Sequence, residues 1–244
     1  MKLDLIDDKY QNILQNIRTY FNASNNSIHK ARNEIKTIEL DDNDLVIKSF
    51  KVPNIINKII YTFFKSSKAK KSYDNSIKII EFVPKPIGFI EFQELGLISD
   101  SYFISENFKY DFTIREPLVN ENFKERTAIF KEFANFTLKL HEKGIFHLDY
   151  SPGNILIKKE GDNYIFKIVD INRMQFIDMT ISQRLKNFSK LWAKDSDLSI
   201  IVQEYAQLMN IDSDTSVQTA LRYSQTHKNR KNAKKRLKGK KVVD

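Results

Sequence analysis

His147, Asp149, Asn154 and Asp170 are the residues of this chain whose types and spacing could do chemistry. Three of them sit in "HLDYSPGN", residues 147 to 154, which gathers polar groups around a Pro-Gly turn in a chain with only five prolines and six glycines. The stretch that follows, "NILIKKEGDNYIFKIVD", reads as two β-rich runs around a Gly-Asp turn. With the turn centred on Asp162, antiparallel pairing sets Ile155 against Val169 and Ile157 against Lys167, and one further step sets Asn154 against Asp170. An amide oxygen and a carboxylate facing each other there can share one hard cation, and Asp149 lies on the loop that enters the same end. Oxygen-only ligation suits Mg²⁺. A second carboxylate beside it is the equipment of phosphoryl transfer, in which the metal neutralises phosphate charge and the carboxylate orients or deprotonates an attacking hydroxyl.

The elements that must position these groups are legible as two kinds. In the first half, "EIKTIEL" (34 to 40) and "DLVIKSF" (44 to 50) alternate around the acidic turn "DDND", and "KPIGFIEF" (85 to 92) and "DSYFISENF" (100 to 108) read as a second strand pair turning through "QELGLIS". Between the hairpins, "VPNIINKIIYTFFK" carries Ile55, Ile56, Ile59, Ile60, Phe63 and Phe64 in doublets four apart, one broad apolar helical stripe followed by Lys65, Lys68, Lys70 and Lys71. Such a stripe most often packs on a neighbouring sheet, but its flanking lysines also give it the form of an interfacial membrane helix. The second half has helical spacing over 121 to 143, closed by Gly144, and again over 179 to 190 and 197 to 209. Strands first and helices afterwards make the fold class α+β.

Composition narrows the chemistry further. The 244 residues contain no cysteine, which excludes disulfides, thiolate nucleophiles and Cys-ligated zinc, and the four histidines are scattered. Acids interrupt the N-terminal "MKLDLIDDKY", and no apolar run reaches the length of a membrane span, so the expectation is a cytoplasmic protein. The net charge of +9 is almost all local: residues 227 to 244 carry +8 and the rest about +1. That tail reads as solvated and disordered, able to touch anionic lipid or nucleic acid by charge alone, and no specific nucleic acid partner is expected.

The spacing His147-x-Asp149-x4-Asn154, with Asp170 after the next hairpin, resembles the catalytic loop and metal-binding Asp of the protein-kinase-like superfamily. Upstream, "LVIK" in a strand is similar to that superfamily's Val-Ala-Ile-Lys, with Lys48 in the lysine position. There are departures. No glycine lies in "SIHKARNEIKTIEL", Ser151 stands where protein kinases usually carry Lys, "DIN" replaces Asp-Phe-Gly, and no Ala-Pro-Glu follows. These departures, with "KARNEIK", "VIKSFKVPN", "HLDYSPGN" and "DINRM", make residues 28 to 210 resemble the lipopolysaccharide core kinases of the Kdo/WaaP family.

That resemblance implies a bilobal protein-kinase-like fold: an antiparallel-sheet small lobe over 1–106, a reduced, mostly helical large lobe over 107–226, and the basic tail over 227–244. It implies ATP and Mg²⁺ as cofactors and, as acceptor, a Kdo or heptose of the lipopolysaccharide core or Kdo-lipid A, met at the inner face of the inner membrane. The basic tail and the 53–71 helix would be the peripheral contacts with an anionic membrane. By the same resemblance Asp149 is the catalytic base, Asn154 and Asp170 are the metal ligands, Lys48 clamps the phosphates, and His147 braces the loop. Arg173 would contact the acidic substrate or Asp149. Asp74 would hold Lys48, with Glu81 as the other candidate. The alternatives are another small-molecule kinase, a protein serine/threonine kinase, and a pseudokinase scaffold.

Overall fold

Alternation of apolar and polar side chains builds the first half of the chain into one antiparallel sheet. The computed structural model describes residues 1–30, 33–40 and 43–239; positions 31–32 of "KARNEIK", 41–42 of the acidic turn and 240–244 of the basic tail lie outside the described residues. The chain divides into two units, Met1–Lys109 with Asp170–Asn172, and Tyr110–Val169 with the residues from Arg173 onward.

The first unit contains β1 (Lys2–Leu5), α1 (Gln11–Gln15), α2 (Ile17–Ala23), β2 (Ser27–Lys30), β3 (Glu34–Leu40), β4 (Asn43–Phe50), α3 (Ile55–Phe63), α4 (Lys68–Lys78), β5 (Pro86–Glu94) and β6 (Leu97–Glu106). Its six strands run in the order β1-β5-β6-β4-β3-β2. One face of the sheet buries Leu45, Ile47, Ile87, Ile90 and Ile104 with Leu14 and Ile17 of α1 and α2. Because side chains alternate along a strand, Lys48 and Phe50 point to the opposite face, where Phe50 packs with Ala69 and Tyr73 of α4 and Phe89 of β5. The β5–β6 turn is tighter than "QELGLIS" implies. Leu95 (φ 50°) and Gly96 (φ 76°) alone make it, so both strands run further than expected.

Helix α3 forms as its spacing predicts, with Asn54 capping it by accepting from the Asn57 N–H. Its packing differs from the commoner outcome: no residue of α3 is buried. Contact with β6 runs through the polar side, where Thr62 Oγ1 accepts from the Ile98 N–H at 3.0 Å, and Ile55, Ile56, Ile59 and Phe63 stay exposed.

The second unit contains β7 (Phe112–Thr113), α5 (Arg115–Val119), α6 (Arg126–Glu142), β8 (Ile145–His147), β9 (Ile155–Glu160), β10 (Asn163–Ile168), β11 (Met174–Phe176), α7 (Ile181–Asn187), α8 (Asp195–Leu208) and α9 (Ser213–Arg236). Phe130 and Phe133 of α6, Tyr150, and Ile201 and Tyr205 of α8 are completely buried. Over residues 227 to 236 the chain is helical where disorder was expected, since α9 continues to Arg236. Ser216, Ala220, Ser224 and Asn232 make a buried stripe along it, and Lys228 Nζ donates to Ala193 O at 2.8 Å. The stripe is made of small residues, which a count of charges does not register. Among the described residues no helix is long and apolar enough to cross a membrane.

Gly88 shows how closely β1 lies on the sheet. A Cβ there would stand 2.6 Å from Asp4 O and 2.8 Å from Leu14 Cδ2, a backbone atom and a core atom that cannot both retreat. Gly88→Ala should therefore destabilise the protein by about 1–3 kcal/mol in urea unfolding, the usual range for overpacking.

Candidate active site

The β9–β10 hairpin turns on two residues, Gly161 and Asp162, with Gly161 at φ 62°. Its register sets Ile155 against Ile168 and Ile157 against Phe166, one residue away from the pairing expected from a turn centred on Asp162. Asn154 thus lies level with Val169, whose N–H donates to Asn154 O at 2.9 Å, and Asp170 follows one residue later in the chain. The facing Asn154–Asp170 pair expected from sequence does not form part of the ladder.

The loop carrying Asp149 is fixed by its neighbours. The His147 ring is 1% exposed, and its Nδ1 accepts from the Asp149 N–H at 3.0 Å. That nitrogen is therefore unprotonated, so Nε2 carries the proton and donates to Val169 O at 3.0 Å. Tyr150 is fully buried against Phe133, and because Thr137 Oγ1 already donates to Phe133 O, the Tyr150 hydroxyl donates to Thr137 at 2.8 Å. Asp149 O accepts from the Ser151 N–H at 2.7 Å and from Asn154 Nδ2 at 2.9 Å. The second bond fixes the Asn154 amide and leaves its Oδ1, a neutral oxygen ligand, without a donor among the described residues.

A second chain of hydrogen bonds supports the first. Asn187 Nδ2 donates to His147 O at 3.0 Å, so its Oδ1 accepts from His141 Nε2 at 3.2 Å, and His141 Nδ1 accepts from the Tyr205 hydroxyl at 2.8 Å. No sequence motif marks His141, Asn187 or Tyr205. Their only signal is polarity at positions where α6, α7 and α8 present a core face.

Asp149 opens on a cavity of about 430 Å³ within this unit. Ser151 and Arg173 line it, so the structure brings Arg173 to the same cavity as Asp149. Lys190, Trp192, His227, Lys231 and Lys235 complete the lining. These were not singled out from sequence, although His227, Lys231 and Lys235 recur every four residues, the spacing of one helical face.

In the first unit, Lys48 Nζ lies 2.6 Å from Asp170 Oδ1, which also accepts from Asn172 Nδ2 at 3.1 Å. Asn75 of α4 donates to Ile171 O at 2.7 Å and holds the 170–172 segment. Asp170 has φ 57°, a left-handed backbone that Asp tolerates at some cost. The expected Lys48–Asp74 pair is not formed. Asp74 is bound by Lys70, 2.8 Å away and one helical turn earlier on α4, because a partner at i−4 on the same helix is the nearer cation. Glu81 lies exposed in the turn Ile80–Phe82.

Among the described residues no three His, Asp or Glu side chains cluster to hold a metal by themselves. In the first unit the Asp170 carboxylate is of the type that hard cations such as Mg²⁺ prefer, and in the second the Asn154 amide offers a neutral oxygen of the same type.

Residues 83–211, just over half of the chain, match the lipopolysaccharide kinase (Kdo/WaaP) family. The structure of WaaP in complex with acyl carrier protein aligns at a TM-score of 0.60 and 13% identity, over 93% of this chain and 99% of that one. The fold is thus the protein-kinase-like α+β fold expected from sequence. The Rio2 kinase complex with ADP, Mg²⁺ and phosphoaspartate from Chaetomium thermophilum aligns at 0.49 and 14% identity, over 83% of this chain and 64% of that one. A probable serine/threonine-protein kinase of Dictyostelium discoideum, fhkA, is 46% identical over 63 residues, which are 25% of this chain and 10% of that protein. The matched stretch is thus a small part of that relative's length.

The buried support of the loop has a pH signature. Burial, against the hydrogen bond that His141 donates to Asn187 and with the Arg184 charge, pushes His141 from 6.5 down to about 4. The unfolded chain then binds a proton that the folded chain refuses, so stability is intact above pH 6.5 and is lost as pH falls toward 4, by about 3 kcal/mol. Urea unfolding followed from pH 7 to 4 should show this slope in the wild type and a flatter one in His141→Gln. An unchanged slope in the variant assigns the proton to another group.

Proposed function

The chain belongs to the lipopolysaccharide kinase (Kdo/WaaP) family, and on that premise we propose that it transfers the γ-phosphate of ATP to a sugar hydroxyl of the lipopolysaccharide inner core, on Kdo or heptose. The observation that carries this reading is the loop from His147 to Asn154, in which every neighbour of Asp149 is hydrogen-bonded or buried while Asp149 itself lines an open cavity.

ATP supplies the phosphoryl group and Mg²⁺ neutralises its charge. By the family resemblance Lys48 would bind the phosphates, and Asp170 and Asn154 would each offer an oxygen to the cation. Asp149 orients the sugar hydroxyl and accepts its proton as the oxygen attacks phosphorus. His147 keeps that carboxylate in place without touching the acceptor, and Arg173 meets the negative charge that the acceptor carries. A protein hydroxyl as acceptor is the reading that the local likeness to a serine/threonine kinase raises. The missing Ala-Pro-Glu and the short stretch between Asp170 and the basic tail speak against it.

An acceptor embedded in a bilayer calls for a surface that meets lipid, and α3 has the composition for one. Ile55, Ile56 and Phe63 are each more than 60% exposed, with Lys51, Lys58 and Lys65 nearby in the chain. We place the protein at the cytoplasmic face of the inner membrane through this helix and the basic tail.

Asp149→Ala should lower phosphate transfer to Kdo-lipid A by roughly 10²–10⁴-fold, the range for a lost general base, with an unchanged melting temperature. Transfer at the wild-type rate would remove Asp149 from the base role. Asp170→Asn should weaken Mg·ATP binding in a titration, and equal binding counts against its ligand role. An ATP-consumption screen across Kdo-lipid A, heptosylated core, simple sugars and a generic protein, read by mass spectrometry of the product, tests the acceptor. For the membrane contact, Ile56→Asp/Phe63→Asp should abolish flotation with anionic liposomes, and retained flotation rules out α3 as the anchor.

A further inference from the structure

The cavity in front of Asp149 carries far more positive charge than one carboxylate can offset. Arg173 enters from the segment after Asp170, Lys190 from the turn before Trp192, and Lys231 and Lys235 from α9. Asp149 is the only acid in the lining. Among the described residues none of these four cations takes part in an ion pair, although many lysines elsewhere in the chain do. They also repel one another. Burial, and then the charges of Lys231 and Arg230, hold Lys190 below the ordinary lysine value. Burial, Lys190, Lys231 and Arg230 push His227 down to about 4, which leaves that ring neutral near pH 7. A group of four cations facing a single carboxylate costs stability, and a bound anion relieves that cost.

The aromatic wall of the same cavity has its own geometry. Trp192 has φ 56°, an outlying backbone for so large a side chain. Its ring lies 6.1 Å from that of His227, nearly perpendicular to it, and Lys235 Nζ lies 5.5 Å from its centroid. A flat indole beside several cations suits a molecule with an apolar ring face and an acidic substituent. The helix that brings Lys231 and Lys235 is anchored for the purpose, since its buried stripe and the Lys228 bond to Ala193 fix how it turns.

We propose that α9 is the acceptor-recognition element: Lys231 and Lys235, with Arg173 and Lys190, bind a carboxylate or phosphate carried by the acceptor saccharide, whose ring packs on Trp192. This rests on the sugar-kinase reading and deepens it by naming the charge that the acceptor must bear and the residues that read it. The basic C-terminal segment is thus part of the substrate site, in addition to any contact it makes with lipid.

Trp192 is the single tryptophan of the chain, so intrinsic fluorescence reports on this cavity without any turnover. The full chain is titrated, without nucleotide, with free Kdo as the carboxylate probe, inorganic phosphate as the phosphate probe and mannose as the neutral one. Kdo should give a saturable change, phosphate should compete with it, and mannose should give none. Lys231→Ala/Lys235→Ala should raise the half-saturation for Kdo about tenfold or more, the loss expected for charge-assisted bonds, and Lys231→Arg/Lys235→Arg should restore it. Neither lysine is buried, so matching melting curves are expected for all forms.

In steady-state transfer to Kdo-lipid A, the alanine variant should raise the KM for acceptor and leave that for ATP unchanged. Equal half-saturation in wild type and alanine variant, mannose binding as tightly as Kdo, or no response to either anion overturns the proposal. The two readings separate cleanly. Kdo binding with the expected lysine dependence but no phosphate transfer defeats the kinase reading alone. Transfer with an acceptor KM insensitive to both lysines defeats the recognition role alone.

Discussion

A side chain that opens on a cavity can be held in place only through its backbone and its neighbours. At Asp149 that constraint is met by one buried imidazole. His147 accepts from the backbone of Asp149 with one nitrogen and donates to Val169 with the other, so a single neutral ring joins the loop to the end of β10. Protonation of Nδ1 would turn its acceptor into a donor facing a donor. The ring can perform this task in only one tautomer, the one that these two bonds select. Tyr150 and the Asn187–His141–Tyr205 chain extend the same principle inward, with buried polar groups satisfied in sequence until the helical core takes over.

The division of the chain follows from a different requirement. Asp170–Asn172 belongs with the sheet unit although the residues on either side belong with the helical one. The Lys48–Asp170 ion pair and the Asn75–Ile171 bond account for that assignment. Three consecutive residues are claimed by a lysine on β4 and an asparagine on α4, more than 90 positions earlier in the sequence. The left-handed backbone at Asp170 accompanies this change of partners.

What could be read from the sequence depended on how local the signal was. The loop from His147 to Asn154 is a short motif with fixed spacing, and its residues stand together as expected. The hairpin was legible in its strands and not in its register, because "EGDN" accommodates a two-residue or a three-residue turn and one residue shifts every partner. Lys48 and Asp170, 122 positions apart, follow from family likeness alone, and the choice of Asp74 as the partner of Lys48 failed because Lys70 competes for it on the same helix. The C-terminal segment was misread for a compositional reason. Its lysines dominate any count, whereas the residues that seat α9 are Ser216, Ala220, Ser224 and Asn232, which carry little hydrophobicity. For α3 the stripe was visible, but periodicity shows which face is apolar and not what covers it.

The loan of Asp170–Asn172 to the sheet unit also bears on how the protein tolerates being cut. Cleavage between Lys109 and Tyr110 would leave every strand of the six-stranded sheet on one fragment. It would nevertheless place the carboxylate that meets Lys48 on the other. The Lys48 side chain is only 13% exposed, so the N-terminal fragment would inherit a shielded ammonium without its counter-ion. The sheet is contiguous in sequence but not self-sufficient in charge.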